Sequence, residues 1–332
     1  MRKIVYVILL AALGWAGYWF VGSRAMEGAL RTWLADRQQA GWVAEYDRLN
    51  TIGFPNRFDT TIQALELADP STGVAWSVPR LEILQLSYKP NHIILRLPGE
   101  QIVASPYQRI AVTSSDLRGS IVFDPDTDLT LNRATFAMAD MALSSTLGWT
   151  ARLNSGQLAT RQAGSDRVHD IYFEAKGLTP SDGLRDQLDP TNSLPASFSI
   201  FKAQAKLGFT DPWDRHAIET ARPQIETLDL DLVQAKWGDL DLRIAGNLTV
   251  DTRGIPTGDI TVKAANWRDM LAIAEASGAV PAGFVPTLRK ALEFVSKLSG
   301  DPRTLDAPLT FRNGIISFGP IPLGQAPRLI IR

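Results

Sequence analysis

Three histidines, one Ser-x-x-Lys string and one aspartate-rich turn are the places where this sequence invites a chemical reading. A zinc site gathers three or four ligands, typically with two of them at short, regular spacing. His92, His169 and His216 are far apart, and His216 has a carboxylate, Glu219, at helical spacing. They read as structural or surface residues. Ser199-Ile200-Phe201-Lys202 matches the nucleophile string of penicillin-recognising enzymes, which needs a helical turn to set lysine beside serine. Here the string lies in a β-patterned run, without the companion SDN or KTG motifs. Asp124-Pro125-Asp126-Thr127-Asp128 opens like a calcium loop. However, Leu129 stands where the loop needs glycine, and Thr135 where it needs a bidentate glutamate. An Asp-rich β-turn accounts for it. Asn247-Leu248-Thr249 fits a glycosylation acceptor only as a string, and a strand interior is the better reading.

Other chemistries are absent from the pattern. There is no Walker loop, dinucleotide glycine fingerprint, nucleophile elbow or HExxH helix. The sequence contains no cysteine, which removes disulfides, thiol catalysis and cysteine zinc sites. A net charge of -1 gives no basic footprint for nucleic acid. No catalytic, cofactor-binding or metal-binding residue is assigned, and the expectation is a protein that is not an enzyme.

The N-terminus carries the strongest local signal. Met1-Arg2-Lys3 is basic, residues 4–23 carry no charge, and Arg24 closes the run. About 20 apolar residues at 1.5 Å each span about 30 Å, the thickness of a bilayer's hydrocarbon core. A cleaved signal peptide has a shorter apolar core followed by small residues. This run instead ends in Trp15, Tyr18, Trp19 and Phe20, which suit a membrane interface. The expectation is a permanent anchor in residues 4–23 of a bacterial inner membrane. Arg2 and Lys3 favour an N-in orientation, with one span and the large domain in the periplasm.

The expected division is residues 1–24 as cytoplasmic start and transmembrane anchor, 25–41 as a linking helix, and 42–332 as a β-rich envelope domain. In the linking helix Met26, Leu30, Trp33 and Leu34 form one apolar stripe, and Gly41 stops it. After Gly41, segments at 42–52, 58–68, 76–87, 92–97, 109–112 and 117–123 read as strands. Pro and Gly clusters separate them. Segments at 129–131, 135–147, 149–158 and 168–175 continue the theme. Residues 177–196 hold Pro180, Gly183, Pro190 and Pro195, and read as an ordered loop with a short helix near 182–188. An internal boundary is the alternative there.

The clearest strands lie downstream. Leu228, Leu230 and Leu232 alternate with Asp229 and Asp231, and Leu240, Leu242 and Ile244 with Asp239, Asp241 and Arg243. Leu248 with Val250, and Ile260 with Val262, repeat the period of two, which gives each strand one dry and one wet face. Two helices follow. The first is capped by Asn266 and ends at Gly278; the second starts at Pro286, carries Leu288, Leu292, Val295 and Leu298, and ends at Gly300 and Pro302. Asn313-Gly314 predicts a tight hairpin between 309–312 and 315–318. The fold class is mainly β with a few helices: an N-terminal transmembrane helix followed by an elongated, mostly antiparallel, curved β-sheet domain.

Gly53-Phe54-Pro55-Asn56-Arg57-Phe58-Asp59 and Tyr88-Lys89-Pro90-Asn91-His92-Ile93-Ile94 resemble the signature blocks of an uncharacterised alphaproteobacterial envelope family, domain-of-unknown-function family 2125. The anchor, the spacing between the blocks and the chain length are similar too. The family brings no catalytic residue with it. From the residues alone, Gly53 and Pro55 fix a turn, Phe54 and Phe58 plug a sheet end, Arg57 and Asp59 pair or lie exposed, and Pro90-Asn91 turns between Tyr88 and the strand from His92. The downstream half is distantly similar to AsmA-like envelope proteins through 240–250, 254–258, 267–271, 309–314, 319–324 and Pro327. That resemblance implies a curved sheet whose concave apolar face accommodates lipid.

Two short helices cannot cover a sheet of many strands. Leu230, Leu242, Leu248 and Ile260 are therefore expected on one face that either lines a groove for an apolar ligand or is sealed. The functional expectation is an anchored envelope protein that handles lipid-like molecules. The alternative is a structural or adaptor component of an envelope complex.

Overall fold

The structure is a computed structural model that describes residues 1–278, 283, 285–298 and 303–331. The sequence-predicted stops at Gly300 and Pro302 lie outside these residues. The protein is mainly antiparallel β-sheet with a long apolar helix at its N-terminus. It forms two compact units: Met1–Phe123 with Phe136–Gly148, and Asp124–Thr135 with Trp149–Arg332.

The first unit begins with α1 (Arg2–Gln39), a single uninterrupted helix. The expected anchor and linking segment are thus continuous. Nothing between them breaks the ladder, because there is no proline before Pro55. Gly41, at φ 87°, ends the helix. Its N–H bonds the Gln38 carbonyl, and the Trp42 N–H reaches back to Arg37. The two halves of α1 meet different surroundings. Residues 4–13 are exposed. Leu34 is buried, and Met26, Leu30 and Trp33 pack with it on Ala44, Leu49, Ile62, Leu65, Val78 and Ile83. The apolar stripe therefore lies on the protein's own core.

That core is built on a long hairpin. After β1 (Val43–Glu45) and β2 (Arg48–Ile52) come β3 (Arg57–Asp69) and β4 (Val74–Leu86), paired from Arg57↔Leu86 to Asp69↔Val74. β1 and β2 pair in succession along the outer edge of β3. On the outer edge of β4 lie β5 (Lys89–Arg96) and β6 (Gln101–Ala104). β5 continues to β8 (Asp116–Phe123), and β6 to β7 (Arg109–Thr113). β7 then pairs with residues 142–145 of β9 (Leu131–Ser145). Buried residues on β3 run Phe58, Thr60, Ile62 and then Leu65, so the phase slips by one at Ala64, whose φ is 51°. β4 slips in step, from Ile83 to Val78, with Pro79 between them. Both halves of the hairpin thereby keep their apolar side against α1.

In the second unit β10 (Thr150–Gln162) and β11 (Val168–Leu178) are followed by α2 (Asp182–Leu188), then β12 (Phe198–Phe209), the short α3 (Arg215–Glu219), β13 (Ile225–Trp237), β14 (Leu240–Val250) and β15 (Pro256–Ala265). α4 (Trp267–Ala276) and α5 (Val285–Leu298) intervene before β16 (Thr304–Arg312), β17 (Ile315–Phe318) and β18 (Ile321–Gln325). From β10 to β18 each strand pairs antiparallel with the next, a simple meander. Asn313 and Gly314 both take positive φ, 53° and 74°, as a tight hairpin turn requires.

Residues 177–196 lie inside this unit as an ordered loop carrying α2. Ser181 caps that helix, and buried Asp189 accepts from the Leu194 N–H and from the hydroxyls of Thr191 and Ser193. Three local readings need correction. A bulge at Asp231 breaks the period of two, so Leu232 pairs with Gln204 while Val233 takes its place beside Ala203. Asn266 precedes α4 in a left-handed conformation without capping it, because its amide donates instead to the Asp239 carbonyl. Pro90 and Asn91 belong to β5; the turn before it is Ser87-Tyr88.

Candidate functional site

Two features concentrate the functional residues that the sequence singles out. The first is in the first unit, where the two signature blocks close around the distal end of the apolar helix. Gly53 takes φ 113° to start the turn, and a Cβ there would lie 2.9 Å from both Cβ and the carbonyl oxygen of Arg57. The turn delivers aromatic contacts to α1. Phe54 stacks on Phe20 at 5.9 Å and meets Trp19 edge-on at 5.5 Å, while Phe58 lies 6.1 Å from Trp19. Phe58 is buried, and a Cβ on Gly22 would overlap its ring at 2.6 Å, so α1 approaches it closely.

Hydrogen bonds fasten the same contact. Trp15 Nε1 donates to the Pro55 carbonyl at 2.9 Å, Trp19 Nε1 to the Arg57 carbonyl at 2.7 Å, and Tyr18 Oη to the Ser87 carbonyl at 2.6 Å. The second block is held likewise: the Pro90 carbonyl accepts from Gln85, Asn91 donates to the Phe123 carbonyl, and His92 Nε2 lies 2.9 Å from Ser120 Oγ. Arg57 pairs with Asp59 at 3.0 Å. Phe58 fits the expected plug. Phe54 does not: it is exposed and lies on α1. The aromatic belt expected for a membrane interface thus also bonds the protein's own turns, and the partners, 38 to 69 residues away, leave no local signal in the sequence.

The second feature is the sheet face of the second unit. Cross-strand partners share a face, so the registers put Leu230, Leu242, Leu248 and Ile260 together, with Leu228, Val233, Ile244 and Val262. The same face continues through Phe201, Ala203 and Ala205 on β12, Ile171 and Phe173 on β11, and Leu158 on β10. Its covering is uneven. Leu248 and Ile260 are buried with Phe311, and Leu242 packs against the buried cluster of Ala264, Trp267 and Leu271, on which Leu288 and Leu292 of α5 also pack. Toward β10 the face opens: Ile171, Phe173, Phe201, Ala203 and Val233 are half-buried, and Leu158 is exposed.

The reverse face is polar. Arg243 bonds Asp241 at 2.8 Å, and Lys263 pairs with Asp306. Burial pushes the Asp241 carboxyl up. Hydrogen bonds from Arg243 and Gln234, with the nearby positive charge, outweigh that and hold it below the usual carboxylate range.

The remaining polar candidates lie in local structural settings. His169 is buried, with Nδ1 3.0 Å from Thr160 Oγ1 and Nε2 without a hydrogen-bond partner, and burial lowers its pKa. His216 lies in α3, where Asp214 accepts its backbone N–H. Ser199 donates to the Lys236 carbonyl from a strand, and the Lys202 ammonium lies over the Tyr172 ring. Asp126 accepts the N–H groups of Asp128 and Thr130, an Asx turn. Among the described residues no group of three or more His, Asp or Glu has metal-binding geometry.

A membrane-length helix fixed to a mainly antiparallel β protein defines the class. The family model described as "Uncharacterized protein conserved in bacteria (DUF2125)" matches residues 19–327, and the chain belongs to that family. No curated protein and no solved structure matches it.

Two outcomes are expected. Trp19→Phe keeps the ring but strands the Arg57 carbonyl, and should cost about 1–3 kcal/mol in denaturant unfolding followed at the first unit. An unchanged midpoint would show that the indole bond is dispensable. For Asp241 the folded pKa is depressed, so its stabilisation is present above the unfolded value of about 3.9 and is lost as pH falls through the folded value. The thermal midpoint of Asp241→Asn should therefore fall less steeply on acidification than that of the wild type.

Proposed function

We propose that this protein is a single-pass membrane protein of the bacterial envelope whose second unit binds the acyl chain of a membrane lipid on its open sheet face. One observation carries the reading: a continuous apolar face from β10 to β13 on which Ile171, Phe173, Phe201, Ala203 and Val233 stay half-buried. Burying one such large side chain is worth about 1.5–3 kcal/mol, so an open row of them favours an apolar occupant. Dimensions favour an acyl chain. Five strands, β10 to β14, span about 19 Å at the usual strand spacing, and one leaflet's chains occupy about 15 Å. The chain also carries a helix apolar and long enough to cross a membrane, which gives it access to lipid.

The basic start supports an N-in orientation with both units in the periplasm, at the inner membrane. A reporter active only in the periplasm, fused after the last residue, should be active; activity of a cytoplasm-only reporter there reverses the orientation.

Ligand binding is tested on the open part of the face. Val233→Asp should leave a cooperatively folded protein that has lost the lipid extracted from the wild type, because a groove wall reached by water tolerates a charge. Unfolding of that variant would mark the face as sealed core. A wild-type protein that carries no extractable lipid and takes up no fluorescent acyl probe would leave the adaptor reading.

A further inference from the structure

We infer that the two signature turns are themselves membrane-interface elements: Phe54 and Tyr88, on a collar around α1, insert into the boundary between lipid headgroups and acyl chains. The inference rests on the reading of α1 as a membrane span and adds a second, peripheral contact with the same bilayer.

Depth comes first. The uncharged run of α1 ends at Arg24. Trp15, Tyr18 and Trp19 precede Arg24 by nine, six and five residues, or about 13, 9 and 7 Å along the axis. The headgroup layer is only about 5–7 Å thick on each side. The hydrogen bonds from these three rings to Pro55, Ser87 and Arg57 therefore hold both turns on the lipid side of Arg24.

The turns are built for that depth. Backbone near hydrocarbon must find its partners within the protein. Here the carbonyls of Pro55, Arg57 and Ser87 accept from the anchor's own rings, and that of Pro90 accepts from Gln85. Pro55 and Pro90 bring no N–H to satisfy. The N–H groups of Arg57 and Ser87 bond Gly53 and Asn56 within the collar.

The outer surface fits the same partner. Ile52, Phe54, Leu86 and Tyr88 are exposed, with fractions of 60%, 54%, 36% and 57%. Phe20, Arg24 and Lys89 are exposed as well, and Asn56 and Arg57 are exposed in the same turn, with Arg57 the cross-strand partner of Leu86, so the surface is apolar with cations set into it. Apolar and aromatic side chains with flanking Lys or Arg suit the headgroup boundary, where cations reach phosphates. Continuity with the membrane-length helix distinguishes this patch from a protein docking site.

The absence of cysteine makes the test direct. Phe54→Cys and Tyr88→Cys are each labelled with an environment-sensitive fluorophore in the full chain, reconstituted into vesicles containing anionic phospholipid. Ser71→Cys, in the turn at the opposite end of the β3–β4 hairpin, is the reference, about 40 Å away along β3. Labels at 54 and 88 should show blue-shifted emission, severalfold lower accessibility to aqueous iodide than at 71, and quenching by lipids spin-labelled near the headgroup. Equal iodide accessibility at all three sites, in protein that stays in the membrane pellet after alkaline carbonate, overturns the collar and leaves the anchor intact. Protection at 54 and 88 without lipid quenching means that the protein itself shields the patch, and also overturns it. Release of the chain by carbonate overturns the anchor reading and this inference together.

Discussion

A β-sheet with one apolar face requires a cover, and the two units differ in how far their own helices supply one. In the first unit the cover is the helix that begins as a membrane-length apolar segment: Met26, Leu30, Trp33 and Leu34 lie on the β3–β4 hairpin. The paired phase slip at Ala64 and Pro79 shows how strongly this face is specified. A strand that lost register there would present half its apolar residues to water. In the second unit α4 and α5 cover only the part of the face around Leu242, Ala264 and Leu305. The meander extends well beyond them, and there the apolar residues remain half-exposed. The functional reading follows from this difference in cover.

Much of the fold was legible in the sequence because the signals are local. The uncharged run to Ser23, the alternation along β14 and β15, and Asn313-Gly314 each encode their structure within a few residues. The common face of Leu230, Leu242, Leu248 and Ile260 was legible for the same reason. What escaped depends on distant partners. The Trp15–Pro55 bond joins residues 40 apart, and nothing near Trp15 announces it. The bulge at Asp231 is visible only through register with Gln204 and Ala205. Asn266 looked like a cap because capping is local, yet Asp239 claimed its amide from 27 residues away.

Polar residues that resembled chemistry are occupied by structural work. Asp126 organises its own turn, Ser199 closes onto a neighbouring strand, and His169 is buried against Phe209 and Thr160. Each has a short-range partner that a string match cannot reveal. Motifs such as Ser-x-x-Lys specify spacing on a helix, and on a strand the same spacing sends the two side chains to opposite faces.

The aromatic contacts of the first unit change how α1 holds it mechanically. A flexible tether would let the following unit tumble, with reach growing as the square root of its length. Here no tether exists between Arg2 and Gln39, because the helix runs unbroken onto the core. Three ring-to-carbonyl bonds and the Phe58 contact at Gly22 add a second attachment, offset from the helix axis. Each neutral bond contributes only about 0.5–1.5 kcal/mol net. Their combined effect is mainly orientational: two attachments, one along the axis and one beside it, remove rotation that the helix packing alone would leave soft. The signature residues therefore have a physical role that needs no catalysis. Gly53 and Pro55 shape the turn, the carbonyls meet the rings, and the sheet of the first unit is held at a fixed attitude to α1.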